Sequence, residues 1–153
     1  MTVVGVPDGH LRRKLIPTFT ATIEPDLQLA VHRDLVKFKH ERTSSGIDQD
    51  TIPQSIVRHF YGVSYRFKKD SGANLDNATA NIVAEGGAGI WSFNKEHAGG
   101  TTEDFVEWIP ISPELVIKGS LDSVSSKARF NLNVVFGAGS TASAKLFWFF
   151  WDE

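Results

Sequence analysis

From Val57 onward the chain alternates. Val57, His59, Tyr61, Val63, Tyr65 and Phe67 occupy every second position, opposite Arg58, Phe60, Gly62, Ser64, Arg66 and Lys68. Period two over so many residues predicts a strand. Shorter alternations predict more strands at 78–84, 90–93, 105–111 and 115–121, and a final pair at 128–136 and 142–151. Turn formers at 70–74 place segment 78–84 antiparallel to the first strand, and Gly137-Ala138-Gly139-Ser140-Thr141 predicts a hairpin between the last two. Residues 44–53 are expected to form a loop.

Two segments near the N-terminus differ. Phe19, Ala21 and Ile23 alternate with threonines at 18, 20 and 22, a short strand pattern. After Pro25-Asp26, the apolar positions Leu27, Ala30, Val31, Leu35 and Phe38 recur at helical spacing. Lys37, Lys39, His40 and Arg42 lie near the end of that segment, favourable to the helix dipole, so a helix is predicted over 26–42. Leu27, Leu29 and Val31 also fit a strand. The expected fold is therefore mainly β, a sandwich or twisted antiparallel sheet of six or more strands with one helix packed on it. Residues 1–16 form an arm, and 17–153 form a single domain.

The last strand is unusual because it is apolar on both sides. Leu146, Trp148 and Phe150 point one way while Phe147, Phe149 and Trp151 point the other. Its predicted partner keeps Ala128, Phe130, Leu132, Val134 and Phe136 on one face and Arg129, Asn131 and Asn133 on the other. Burying a large apolar side chain contributes roughly 1.5–3 kcal/mol, so three rings left in water forfeit stability and invite aggregation. Either the helix at 26–42 covers Phe147, Phe149 and Trp151, or they form a subunit interface.

Composition adds little until it is split. The 153 residues carry a net charge of -2, but residues 1–69 hold eleven Lys or Arg against seven Asp or Glu, and residues 70–153 hold five against eleven. Such polarity suits head-to-tail contact between copies. Zero cysteines exclude disulfides, thiol nucleophiles and thiolate metal sites. No apolar run has the length of a membrane span, and the first ten residues lack a signal-peptide core, so a soluble protein without a secretory route is expected.

The motifs that could carry chemistry are weak. His40-Glu41 is not a zinc helix, since Ser44 stands where the second histidine belongs. Glu103, Asp104 and Glu107 read as a solvated acidic edge, and neither Gly86-Gly87-Ala88-Gly89 nor Gly137-Ala138-Gly139 has phosphate-loop spacing. Arg58 to Tyr65 matches the RNA-recognition strand pattern in part, but His59 and Gly62 depart from it, so nucleic acid is the disfavoured partner. If an anionic partner binds, the surface is Arg12, Arg13, Lys14, Arg58, Arg66, Lys68 and Lys69. If a sugar or flat apolar ligand binds, Tyr61, Trp91 and Trp108 line its groove.

These observations predict no catalytic residue, no metal and no cofactor. They lead to a non-enzymatic structural protein that associates with copies of itself or with other subunits of an assembly. By analogy of class, that is a virion component such as a capsid, decoration, matrix or tail subunit, located in the virion, or in the cytoplasm if not viral.

Overall fold

The computed structural model describes residues 35–153. The chain forms eight strands: β1 (Val36–Arg42), β2 (Gly46–Thr51), β3 (Val57–Ser71), β4 (Asp76–Val83), β5 (Gly89–His97), β6 (Glu103–Lys118), β7 (Arg129–Val135) and β8 (Thr141–Asp152). They make two four-stranded sheets, ordered β1-β8-β3-β6 and β2-β7-β4-β5. Every ladder is antiparallel, and β1 pairs with β8, β2 with β7, β3 with β6 and β4 with β5. The chain is thus one long hairpin with its tip between β4 and β5, rolled so that successive pairs fall in alternate sheets. This is the jelly-roll arrangement of two packed sheets.

The mainly β expectation holds, and several details do not. The predicted helix fails where it can be tested, because 36–42 is the strand β1; positions 26–34 lie outside the described residues, as do the 1–16 arm and the strand pattern at 18–23. Among the described residues the one helical turn is a 3-10 turn at Glu85–Gly87. Phe38, expected on a helical stripe, and His40, expected among the cations at the helix end, instead alternate inward from β1, with His40 4% exposed. The expected loop at 44–53 contains β2, and the two short segments at 105–111 and 115–121 belong to the single long β6. Neither predicted hairpin forms. β3 and β4 lie in different sheets, as do β7 and β8, so their connections cross the sandwich. Turn residues announce a reversal, but long-range pairing chooses the strand that the chain meets next.

The core lies between the sheets. Phe60, Val63, Tyr65 and Phe67 of β3 and Leu146, Trp148 and Phe150 of β8 meet Ala78, Ala80 and Ile82 of β4 and Phe130, Leu132 and Val134 of β7. Trp148 is fully buried, edge-on to Phe130 at 5.2 Å and to Phe60 at 5.8 Å. Its indole N–H donates to His40 Nδ1 at 3.0 Å, which satisfies the polar end of an otherwise apolar side chain. A register shift between Phe60 and Gly62 marks a bulge in β3. The bulge reverses the phase of alternation, so Arg58 and Phe60 share the inner side with Val63, Tyr65 and Phe67, whereas the unbroken sequence pattern had put Phe60 opposite.

Candidate interaction face

The bulge and the odd-numbered residues of β8 together create a ring-bearing surface on the outer side of the first sheet. Register aligns Lys39, Phe147, Ser64 and Trp108 in one row across the four strands, and Trp151, His59 and Val116 in another. His59 stacks on Trp151 with centroids 3.9 Å apart and planes 16° from parallel. The Trp151 indole N–H donates to the Tyr61 hydroxyl at 2.8 Å. Trp108 sets its edge against Phe149 at 5.6 Å and lies over Gly62, where an added Cβ would come 2.5 Å from its ring. Glycine at 62 is what lets the Trp108 ring lie flat on the sheet.

Cations frame these rings. Lys37 Nζ sits 4.8 Å from the centroid of Phe147, and the Arg66 guanidinium sits 5.5 Å from the same ring. Lys145 and Lys39 flank Glu41 at 3.8 and 3.2 Å. His59 Nε2 lies 2.8 Å from Glu153 Oε1 and Nδ1 lies 3.4 Å from Glu114 Oε2, so the end of this face is held by carboxylates.

The residues singled out from sequence divide accordingly. Phe147, Phe149 and Trp151 do share this outer face. Tyr61 and Trp108 join them there, a meeting that sequence spacing did not suggest. Trp91 does not, for it sits on β5 of the other sheet, 6.0 Å from Trp148, so the three-residue groove is dispersed. The basic set divides too. Arg66 and Lys68 lie on the outer face, but Arg58 turns inward, holds Asp152 through two hydrogen bonds of 2.7 and 2.9 Å and covers the Phe150 ring at 3.9 Å. Lys69 is fully buried 2.7 Å from Asp76. Arg12, Arg13 and Lys14 lie outside the described residues.

Among the described residues, several charges of the basic half meet carboxylates of the acidic half within the subunit. Basic β3 pairs with acidic β6, placing Lys68 opposite Asp104 and Lys69 opposite Glu103. Arg58 and His59 meet the C-terminal carboxylates of Asp152 and Glu153.

Behind the face, one end of the sandwich holds a buried polar network that sequence reading missed. The Lys69 ammonium donates to the Asn74 carbonyl at 2.8 Å, and Asp76 Oδ1 accepts from the Gly137 N–H at 2.7 Å. Burial pushes the Asp76 carboxyl up, but the hydrogen bonds from Lys69 and Gly137 outweigh it and hold the group below the usual carboxylate range. Next to it His97 is stacked on Phe67 at 3.6 Å, with Nδ1 3.0 Å from Glu103 and Nε2 2.8 Å from the Tyr65 hydroxyl. Burial pushes the imidazole pKa down against the opposing pull of Glu103. Burial, aided by the charges of Glu103, Asp76 and Glu107, raises that of the Tyr65 phenol. The donors and acceptors fit one tautomer: neutral His97 donates to Glu103 and accepts from Tyr65. The network ties β3 and β6 of one sheet to β4 and β5 of the other. Lys69 and Asp76, seven residues apart across a turn, offered no periodicity that would pair them in advance.

No protein-family model matches this chain, and no curated protein matches it. Among solved structures it is similar to the infectious bursal disease virus VP2 subviral particle, with 15% identity and a TM-score of 0.40 over 76% of this chain and 32% of that one. The structure of the Gx strain of the same virus matches at 13% identity and a TM-score of 0.34, covering 76% and 30% of the two chains. For the Gt strain the figures are 14%, 0.30, 74% and 30%. The chain spans about a third of the length of these viral chains.

Proposed function

We propose that this protein is a non-enzymatic structural subunit that associates with copies of itself, as a component of a virus or phage particle. One observation carries the reading: Phe147, Phe149, Trp151, Trp108 and Tyr61 are gathered on the side of the first sheet that the core does not use. Contacts among the rings bury Phe149 to 7% exposure but leave Phe147 and Trp151 partly exposed on a framework of strands. An aromatic centre with a charged rim is the make-up of a protein interface, where a few rings carry most of the binding energy. Eight-stranded jelly rolls serve in viral capsids, lectin domains and cupins, so the fold permits this role without dictating it.

Sedimentation velocity over a concentration series tests the reading. Oligomers are expected to grow with concentration and to weaken with salt. Phe147→Ser removes an anchor worth about 2 kcal/mol and is expected to raise the dissociation constant roughly thirtyfold, with the melting temperature close to that of the parent. A strict monomer at high concentration refutes the proposal.

A further inference from the structure

The polar end of the sandwich holds four titratable groups in a closed set. Lys69 and Glu103 are register partners on β3 and β6, and Asp76 and His97 are register partners on β4 and β5. Partners of this kind carry Cβ atoms about 5 Å apart on the same side of the sheet. The other two contacts cross between the sheets, Lys69 Nζ to Asp76 Oδ2 at 2.7 Å and His97 Nδ1 to Glu103 Oε1 at 3.0 Å. Lys69 and Asp76 are wholly inaccessible, and the rings of Phe67, Tyr65 and Phe105 pack around His97 beside them.

The two oxygens of Asp76 are treated differently. Oδ1 accepts from the Gly137 N–H at 2.7 Å, whereas Oδ2 touches Nζ at an equal distance but with angles poor for a hydrogen bond. Cγ is one bond from Oδ2, so Nζ lies within about 4 Å of that carbon. A backbone donor on one oxygen and an amine against the other is the arrangement of a carboxyl group placed for attack, because the donor stabilises the oxygen on which charge develops. Burial supplies the drive, since a dry site penalises two charges heavily and a neutral amide bonded to its neighbours very little.

We propose that Lys69 and Asp76 join in an intramolecular isopeptide bond, the ion pair described above being the unreacted state. A proton first crosses from Nζ to Oδ2, which turns the carboxylate into an electrophilic acid and the ammonium into a nucleophilic amine. Nζ then attacks Cγ and the C–N bond forms, while negative charge gathers on Oδ1 and is held by the Gly137 N–H. A second proton passes from nitrogen to Oδ2, with Glu103 as the carboxylate placed to relay it, and the Cγ–Oδ2 bond breaks to release water. One ammonium and one carboxylate become one amide and one water, and no oxidant or cofactor is needed. Glu103 is partly exposed, which gives that water a way out. The third proton stays on the amide nitrogen, where it keeps the Asn74 carbonyl as its acceptor. The bond fastens β3 of the first sheet to β4 of the second, within one subunit, so it does not rest on the assembly reading.

Intact-mass spectrometry of the purified full chain, incubated folded and then unfolded in acid, tests the bond on the parent protein without asking any variant to fold. The parent is expected to weigh less than its sequence mass by one water, and fragmentation of its proteolytic peptides is expected to place the link between Lys69 and Asp76. Lys69→Met and Asp76→Ala are each expected to have the full sequence mass. Glu103→Gln is expected to lose the water roughly a hundredfold more slowly than the parent while keeping its circular dichroism, and an unchanged rate overturns the relay. Three results overturn the bond itself: a parent that stays at full sequence mass after prolonged incubation, a missing water that persists in Lys69→Met, which marks a succinimide elsewhere in the chain, or a link that maps to other residues.

Discussion

Replacing Lys69 by methionine tests the buried network directly. Lys69 and Asp76 are both wholly inaccessible and 2.7 Å apart, so neither charge has water to fall back on. Removing one partner of such a pair typically costs about 3–5 kcal/mol, because the remaining charge stays buried without compensation. For a domain of this size each kcal/mol moves the melting temperature by about 2–4 °C, so Lys69→Met should melt roughly 6–20 °C below the parent. The companion change Asp76→Asn keeps the Oδ1 acceptor that the Gly137 N–H uses and removes only the charge. The double variant should therefore recover much of the loss, and a double-mutant cycle by calorimetry should give a clear coupling energy. The deficit of Lys69→Met should also shrink in acid, where the orphaned Asp76 takes a proton. If Lys69→Met melts within about 1 kcal/mol of the parent, or if the two losses simply add, the pair does not hold the sheets together as described.

Two further outcomes follow from the same geometry. His97 is held neutral with its pKa below the unfolded value of about 6.5, so the unfolded chain binds the extra proton and stability falls as pH drops from about 6.5 toward the folded value. Chemical denaturation across that window should show His97→Gln with a shallower pH dependence than the parent, and identical slopes would refute the neutral assignment. Gly62→Ala should destabilise by about 1–3 kcal/mol and change the near-ultraviolet signal of Trp108, because the new methyl meets the indole at 2.5 Å. Glycine-to-alanine changes in compatible strand sites stabilise, so a gain in melting temperature would show that Trp108 does not depend on this glycine.

Much of the strand content was legible because alternation is a local signal. The spans of β3, β4, β7 and β8 match their period-two runs closely, although the bulge breaks the alternation of β3, and the two-sided aromatic character of β8 can be read from Lys145 to Trp151 alone. Segment 36–42 misled because Leu35 and Phe38 continue a helical spacing, while the features that make it a strand, pairing with β8 and inward burial of His40, are non-local. Tyr61 and Trp108 were visible as aromatics, but their place beside Trp151 and Phe149 needed the β3 bulge and the β3–β6 register. Arg58 and Lys69 looked like members of a basic patch because sequence shows charge without its partner; Asp152 lies ninety-four residues from Arg58.

By itself, the sequence determined which segments can be strands, which residues carry rings or charge, and that no cysteine chemistry is available. These follow from side-chain identity and from the two-residue period of a pleated backbone. The tertiary structure decided which strands pair, which side of each faces water and which charges are neutralised within the subunit. Those depend on register between segments far apart in the chain, and a one-residue bulge such as that at Phe60–Gly62 is enough to exchange inside for outside.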